Sequence, residues 1–235
     1  MKLLVALVNK LLAVPVLQTI IDVAIARNKL LCAELLWMAH RDQTARKAWF
    51  DSTKSHTVEN LKHFIQIDLS NTRRMKQIIS QFGWPGQSMV GERGCEAAWL
   101  LIQHADHDPP FQKQCFILLE RAVENNDAPA SLLAYLTDRI LVHEGKPQVY
   151  GTQLHANLKP FPIEDETHVD ERRMKAGLQP LADYLSQIQT TLVNRPSPHE
   201  QIMEMKQLLS ELPHSPEYEA YVTQIKRLLD MMDNF

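Results

Sequence analysis

Little in this sequence marks an unusual chain, and each shortage narrows what it can be. The three cysteines, Cys32, Cys95 and Cys115, are odd in number and far apart among apolar neighbours such as Leu31, Ala97 and Phe116. They read as reduced core thiols of a cytoplasmic protein, not as a disulfide frame or a zinc site. No window supplies the 18 or so uninterrupted apolar residues of a membrane span. Neither sign of charge dominates: 25 basic and 28 acidic residues are interleaved, for a net charge of −3. No cationic surface able to hold a phosphate backbone follows, so nucleic acid is not an expected partner. The 7 glycines and 13 prolines do not make a low-complexity chain, and 45% apolar with 23% charged residues is ordinary for a globular protein. Also missing are an internal repeat of fixed period, a nucleophile elbow, a phosphate loop and a dinucleotide fingerprint.

What is present is helical patterning over 235 residues, enough for one large domain with additions. We expect an N-terminal helical extension over 1–28, a main domain over 29–194 and a helical hairpin over 195–235. Lys2 before an apolar stretch, with Ala24-Ile25-Ala26 behind it, has some features of an export signal, but Asn9, Lys10 and Asp22 interrupt the run. The reading adopted is an amphipathic helix from Leu3 to about Ala13, ended by Pro15.

Leu31, Leu35, Met38, Ala45 and Trp49 recur at helical spacing and predict a helix from Lys29 to Phe50, with Asp42, Gln43 and Arg46 riding on it. A second helix begins near Val58, and Ser70-Asn71 offers an N-cap that would start a third, containing Met75, Ile78 and Ile79. Gly83-Trp84-Pro85-Gly86 closes it, a loop spans Gln87 to Gly94, and a helix runs on through Ala97, Leu101 and His104. Asp108-Pro109 signals a helix to about Glu124, and Ser131 to Val142 forms the next. Gln148 to Leu154, bent at Gly151, favours an extended segment or short hairpin. A helix from about Thr167 to Ala176 follows. Ser197-Pro198 and Ser215-Pro216 each announce one further helix. The class expected is therefore all-α, an irregular multi-helix domain with one extended element near 148–154.

Three polar clusters carry the chemistry. Gln103-His-Ala-Asp-His-Asp108 packs five hydrogen-bonding or ionisable side chains into six positions. Helical extension of the row Ala97, Leu101 points His104 and Asp108 inward and leaves Ile102 and Asp106 on another face. A buried histidine beside carboxylates is a candidate general base, although a lone one is more often a satisfied core residue. His104, His107 and Asp108 also stand at i, i+3 and i+4, as metal ligands can. The string resembles the ligand run of metallo-beta-lactamase-like hydrolases, but Ile102 stands where its first histidine belongs, so no metal and no cofactor is expected. In the second cluster Tyr135, Asp138 and Arg139 share a helix face, where an aspartate could orient the arginine to clamp an anion. An ordinary helix salt bridge explains that spacing equally well. The third cluster, Gln148, Tyr150, Thr152, Gln153 and His155, suits a neutral hydrogen-bonding wall or a plain surface hairpin.

The strings Gln103-His-Ala-Asp-His-Asp-Pro109, Tyr135-Leu-Thr-Asp-Arg139 and Gln148-Val-Tyr-Gly-Thr-Gln153 resemble those of an uncharacterised bacterial domain family of unknown function. So do Gly83-Trp84-Pro85, Asp42-Gln43 with Arg46, and Arg172-Arg173 through Gly177-Leu178. The resemblance spans roughly 30 to 185 and implies one domain there. Its characteristic polar positions would be Gln103, His104, Asp106, Gln112, Tyr135, Asp138, Arg139, Gln148, Tyr150 and Gln153. It brings no mechanism with it.

Two functions remain open. One is an enzyme, with hydrolysis suggested by residue types alone, acting on a small polar or anionic substrate. His104 would be its base, Asp106 or Asp108 the orienter, with Asp138 in the same acid set. Arg139 would clamp the substrate, and Gln103, Gln112, Tyr135, Gln148, Tyr150 and Gln153 would line its site. The other is a non-catalytic interaction module in which the polar signature locks the fold and the terminal helices offer apolar faces to a protein partner or a second copy. Pocket shape separates the two, since a base must reach a concave, solvent-connected cavity.

Overall fold

A computed structural model describes residues 26, 28–49, 57–192, 198–213 and 215–233. The N-terminal helix expected over 3–13 and the Ser197 cap lie outside them. The architecture is all-α, with nine α-helices and no strand among the described residues. They are α1 (Lys29–Trp49), α2 (Val58–Phe82), α3 (Gln87–Gln103), α4 (Pro109–Glu124), α5 (Ala130–His143), α6 (Val169–Lys175), α7 (Leu181–Leu192), α8 (Pro198–Ser210) and α9 (Pro216–Asp233).

One core gathers the apolar stripes of α1, α3, α4 and α5 with the end of α2, around Leu35, Met75, Ile78, Ile102, Leu119 and Leu136. The buried thiols belong here, and burial pushes Cys95 up to about 11 and Cys115 to about 12, so both are protonated near neutrality. A second core lies on the other part of α2. There Trp49, Leu61, Phe64 and Ile65 are covered by Ile202, Met205, Leu208, Leu209, Tyr221 and Leu229 of the C-terminal hairpin. Burying each such side chain contributes roughly 1.5 to 3 kcal/mol, which is why the hairpin's apolar row lies against the rest of the chain.

Three local expectations are corrected. Ser70-Asn71 does not start a helix: α2 runs on through it, Ser70 Oγ donates back to the Ile67 carbonyl at 3.0 Å, and Asn71 and Thr72 are buried. The stripe from Leu61 to Ile79 continues across the cap signal, and its burial outweighs the local alternative. Residues 87 to 94 are not a loop but the first turns of α3, broken at Gly91, whose φ of 74° is open to glycine. Helix α7 has no expected counterpart. Its first N–H, on Leu181, donates at 2.7 Å to Asp170 eleven residues upstream, a cap that local sequence does not reveal.

Between Gln148 and Leu154 the chain is extended without forming a ladder. Isolated bridges pair Gln148 with Ile163 and Leu154 with Pro160. Gly151 bends it at φ 72°, and a Cβ there would meet Ile163 Cδ1 at 2.9 Å, so both conformation and space call for glycine.

Candidate functional site

The extended segment is held from both sides. Asp138, projecting from α5 and 0% exposed, accepts from Val149 N at 2.7 Å, Tyr150 N at 3.0 Å, Thr152 N at 2.9 Å and Thr152 Oγ1 at 2.9 Å. The segment's carbonyls are met by cations and a phenol. Arg172 Nε donates to Val149 O at 2.9 Å, Arg173 Nη1 to Tyr150 O at 2.7 Å and the Tyr184 hydroxyl to Thr152 O at 3.0 Å. Gln148 donates to Gln153 O at 3.0 Å and Phe161 O at 2.8 Å, and accepts from Gln153 N at 2.9 Å. These two buried side chains spend nearly all of their hydrogen-bonding capacity on backbone.

Arg139 is paired, but not with Asp138. Neighbours in a helix point about 100° apart, and the guanidinium turns to Asp106, with Nε 2.7 Å from Oδ1 and Nη2 on Oδ2. Gln112 donates to Asp106 Oδ1 at 3.0 Å and to the backbone carbonyl of Gln103 at 3.0 Å. Burial opposes the charge on Asp106, and Arg139 outweighs it, holding the carboxyl below the usual range. Arg139, Asp106, His143 and Gln153 face a cavity of about 110 Å³, which Leu228, Met231 and Met232 of α9 close. His143 Nδ1 has no hydrogen-bond partner there among the described residues. Burial draws His143 down to about 4.

His104 enters a different network. Helix α3 ends at Gln103, so face arithmetic does not carry to Asp108 as expected. Asp108 instead caps α4, accepting from Phe111 N at 3.2 Å, and pairs with Lys76. The same helix end prevents His104, His107 and Asp108 from lining up as i, i+3 and i+4, and no group of three metal-binding side chains occurs among the described residues. His104 Nδ1 lies 2.8 Å from Asp42 Oδ2 and 2.9 Å from Arg46 Nε. One nitrogen cannot donate to a carboxylate and accept from a guanidinium at once. The charge on Asp42 favours the Nδ1–H tautomer, leaving a lone pair on Nε2. Burial, with Arg46 beside it, draws His104 down to about 4. Burial also opposes the charge on Asp42, but His104 and Arg46 win and its carboxyl sits below the usual range. Arg46 Nη2 reaches Asp68 Oδ1 at 2.7 Å, and the α9 residue Tyr221 donates its hydroxyl to Asp68 Oδ2 at 2.8 Å. Burial pushes Asp68 up to about 7 despite Arg46.

The fold thus brings Asp106, Gln112, Arg139 and Gln153 together, leaves His104 in the neighbouring Asp42 network, and uses Asp138 and Gln148 as loop supports. Tyr150 is half-buried and contributes backbone bonds, and Tyr135 faces elsewhere. Its ring stands edge-on to Trp99 at 5.9 Å and to Tyr184 at 6.4 Å. It lines an open groove of about 880 Å³ between α1, α3 and α5, shared with Leu36, Trp37, Trp99, Leu100 and Leu132. Trp37 is 57% exposed. Asp42, Arg46 and Asp68 were not expected as site residues. The i, i+4 spacing of Asp42 and Arg46 beside a buried stripe was a usable signal, as was Asp68 within the row Phe64, Ile65, Leu69. For Trp37 and Tyr221 nothing local gave one.

No curated protein and no solved structure matches the chain. Residues 29–193, which hold the three polar clusters, the extended segment and the groove, match a family described as a family of unknown function (DUF6624), and the chain belongs to that family.

Proposed function

We propose that this chain is a non-catalytic binding module whose polar signature is an internal frame, and whose groove beside Tyr135 takes a small molecule with an apolar or aromatic body. One observation carries the reading: the signature side chains Asp106, Asp138 and Gln148 are occupied by protein partners. The groove residues Trp37, Leu100 and Tyr135, by contrast, turn apolar faces to an open concavity of a size that suits a ligand. Reduced, buried thiols suit a cytoplasmic setting. The unit 29–194 would be the binding domain, with 195–235 an addition that steadies it.

A fragment library containing indole and benzamide, read by chemical-shift perturbation on the full chain, tests this. Perturbations should centre on Trp37, Trp99 and Tyr135, and Trp37→Ala should weaken the fragments about tenfold by removing a large aromatic contact. Perturbations centred on Arg139 and Gln153 and unaffected by Trp37→Ala would overturn it.

A second reading, an enzyme with His104 as base, is favoured by the Asp42–His104 geometry, because the ring's contacts with Asp42 and Arg46 both fall on Nδ1 and leave Nε2 out of them. Asp42, not Asp106 or Asp108, would then be the orienting carboxylate. Turnover of any library compound that His104→Gln abolishes would establish this reading in place of the first.

A further inference from the structure

Three half-buried arginines of this fold have an acid of their own. Arg46 has Asp42 and Asp68, Arg139 has Asp106, and the half-buried Arg172 has Asp165. Arg173 differs. It is 1% exposed, and among the described residues it pairs with no carboxylate. Its Nε donates to Gln179 O at 2.6 Å and its Nη1 to Tyr150 O at 2.7 Å, and Nη2 takes part in neither bond. The Tyr184 ring covers one face of the guanidinium at 5.0 Å. Asp138, the buried acid of α5 that holds this loop, has its oxygens taken by the N–H groups of Val149, Tyr150 and Thr152.

A buried cation without a counter-ion is costly, and two carbonyls offset only part of that cost. The missing charge has a place to sit. Arg173 lines a second open cavity of about 700 Å³ together with Tyr135, Gln179, Tyr184, Gln187 and Ile188, and none of the described residues lining it is acidic. Tyr135 borders both this cavity and the aromatic groove. The two concavities therefore meet at one ring, with an apolar body site on one side and a desolvated guanidinium on the other.

We propose that the Arg173 cavity is an anion subsite, and that the ligand of this protein is an organic anion. Its carboxylate or phosphate monoester head pairs with Arg173 Nη2 while its apolar or aromatic body extends past Tyr135 toward Trp99. The guanidinium is fixed by Gln179, Tyr150 and Tyr184, so it meets the head with little loss of side-chain freedom. This assignment rests on the reading of the Tyr135 groove as the ligand site.

Titrating the full chain with benzoate, phenyl phosphate, inorganic phosphate and the neutral benzamide, followed by chemical-shift perturbation, tests it. At least one aromatic anion should bind about tenfold or more tightly than benzamide, as expected for a charge-assisted contact. Whether benzoate or phenyl phosphate leads identifies the head. Gln187 is exposed at the cavity mouth. Gln187→Glu should weaken the anions about fivefold or more and leave benzamide unchanged, and Gln187→Lys should tighten them. Arg173→Lys, its fold checked by thermal melting, should lose the preference for anions. Equal binding of benzoate, phenyl phosphate and benzamide, or anion binding indifferent to Gln187→Glu, sinks the subsite while the groove reading stands. Binding of inorganic phosphate alone, indifferent to both Gln187 variants, sinks it as well. If no aromatic compound binds near Tyr135, the groove reading fails with it.

Discussion

The buried frame around Asp138 and the open groove around Tyr135 are built from the same helix, α5, yet they do opposite things with their side chains. Asp138 is surrounded by donors and has no capacity left for a ligand. Tyr135, one turn earlier, borders two cavities and touches its neighbours through ring edges. Density of polar residue types therefore points to the place where a fold spends hydrogen bonds, which is not the same as the place where it keeps some in reserve. A residue such as Arg173, polar and buried but short of a counter-charge, says more about ligands than a fully satisfied cluster does.

The contrast can be attacked first through the hairpin, where the largest effect is expected. A truncated chain ending at Asn194 would bare Trp49, Leu61, Phe64 and Ile65 and leave Asp68 without the Tyr221 hydroxyl. We expect it to keep its helical circular dichroism but to melt well below the full chain or to self-associate in light scattering, because several large apolar side chains lose their cover. Loss of helical signal altogether would place the hairpin inside the folding unit.

Next in size is the frame itself. Asp138→Ala leaves three backbone N–H groups of the extended segment without an acceptor, a cost on the order of 3 to 5 kcal/mol in urea unfolding. A loss below about 1 kcal/mol would mean that the segment is held by other bonds and that Asp138 is free for another role. Trp37→Ala, on the groove side, should change stability by no more than about 0.5 kcal/mol while weakening aromatic fragments.

A smaller effect concerns pH. Asp68, raised to about 7 from an unfolded value of about 3.9, contributes stability below pH ~4 that is lost as pH rises toward 7. His104 and His143, lowered to about 4 from about 6.5, act the other way: their contribution is present above about 6.5 and lost as pH falls toward 4. Two histidines against one carboxyl give a net rise in stability from pH ~4 to ~7. Asp68→Asn removes the opposing member, so the melting temperature should climb more steeply with pH than in the parent chain. An unchanged slope would mean that Asp68 ionises normally beside Arg46.

Periodicity made the helices legible, since a stripe such as Leu31, Leu35, Met38 is written at fixed spacing, and Asp108 before proline announced its cap for a purely local reason. The Gln103–Asp108 and Gln148–Gln153 strings were legible as polar density, and Gly151 as a bend. By itself the sequence determined the all-α class, the position of the extended element near 148–154 and the buried thiols, because each follows from neighbours within a turn or two. Only the tertiary structure decided which polar groups meet: Arg139 with Asp106 across 33 positions, His104 with Asp42 across 62, Tyr221 with Asp68 across 153. It also decided that Arg173 is left without an acid among the described residues and that Tyr135 opens onto two cavities. Partner choice and concavity depend on how helices distant in sequence pack, and no spacing along the chain encodes the distance between them.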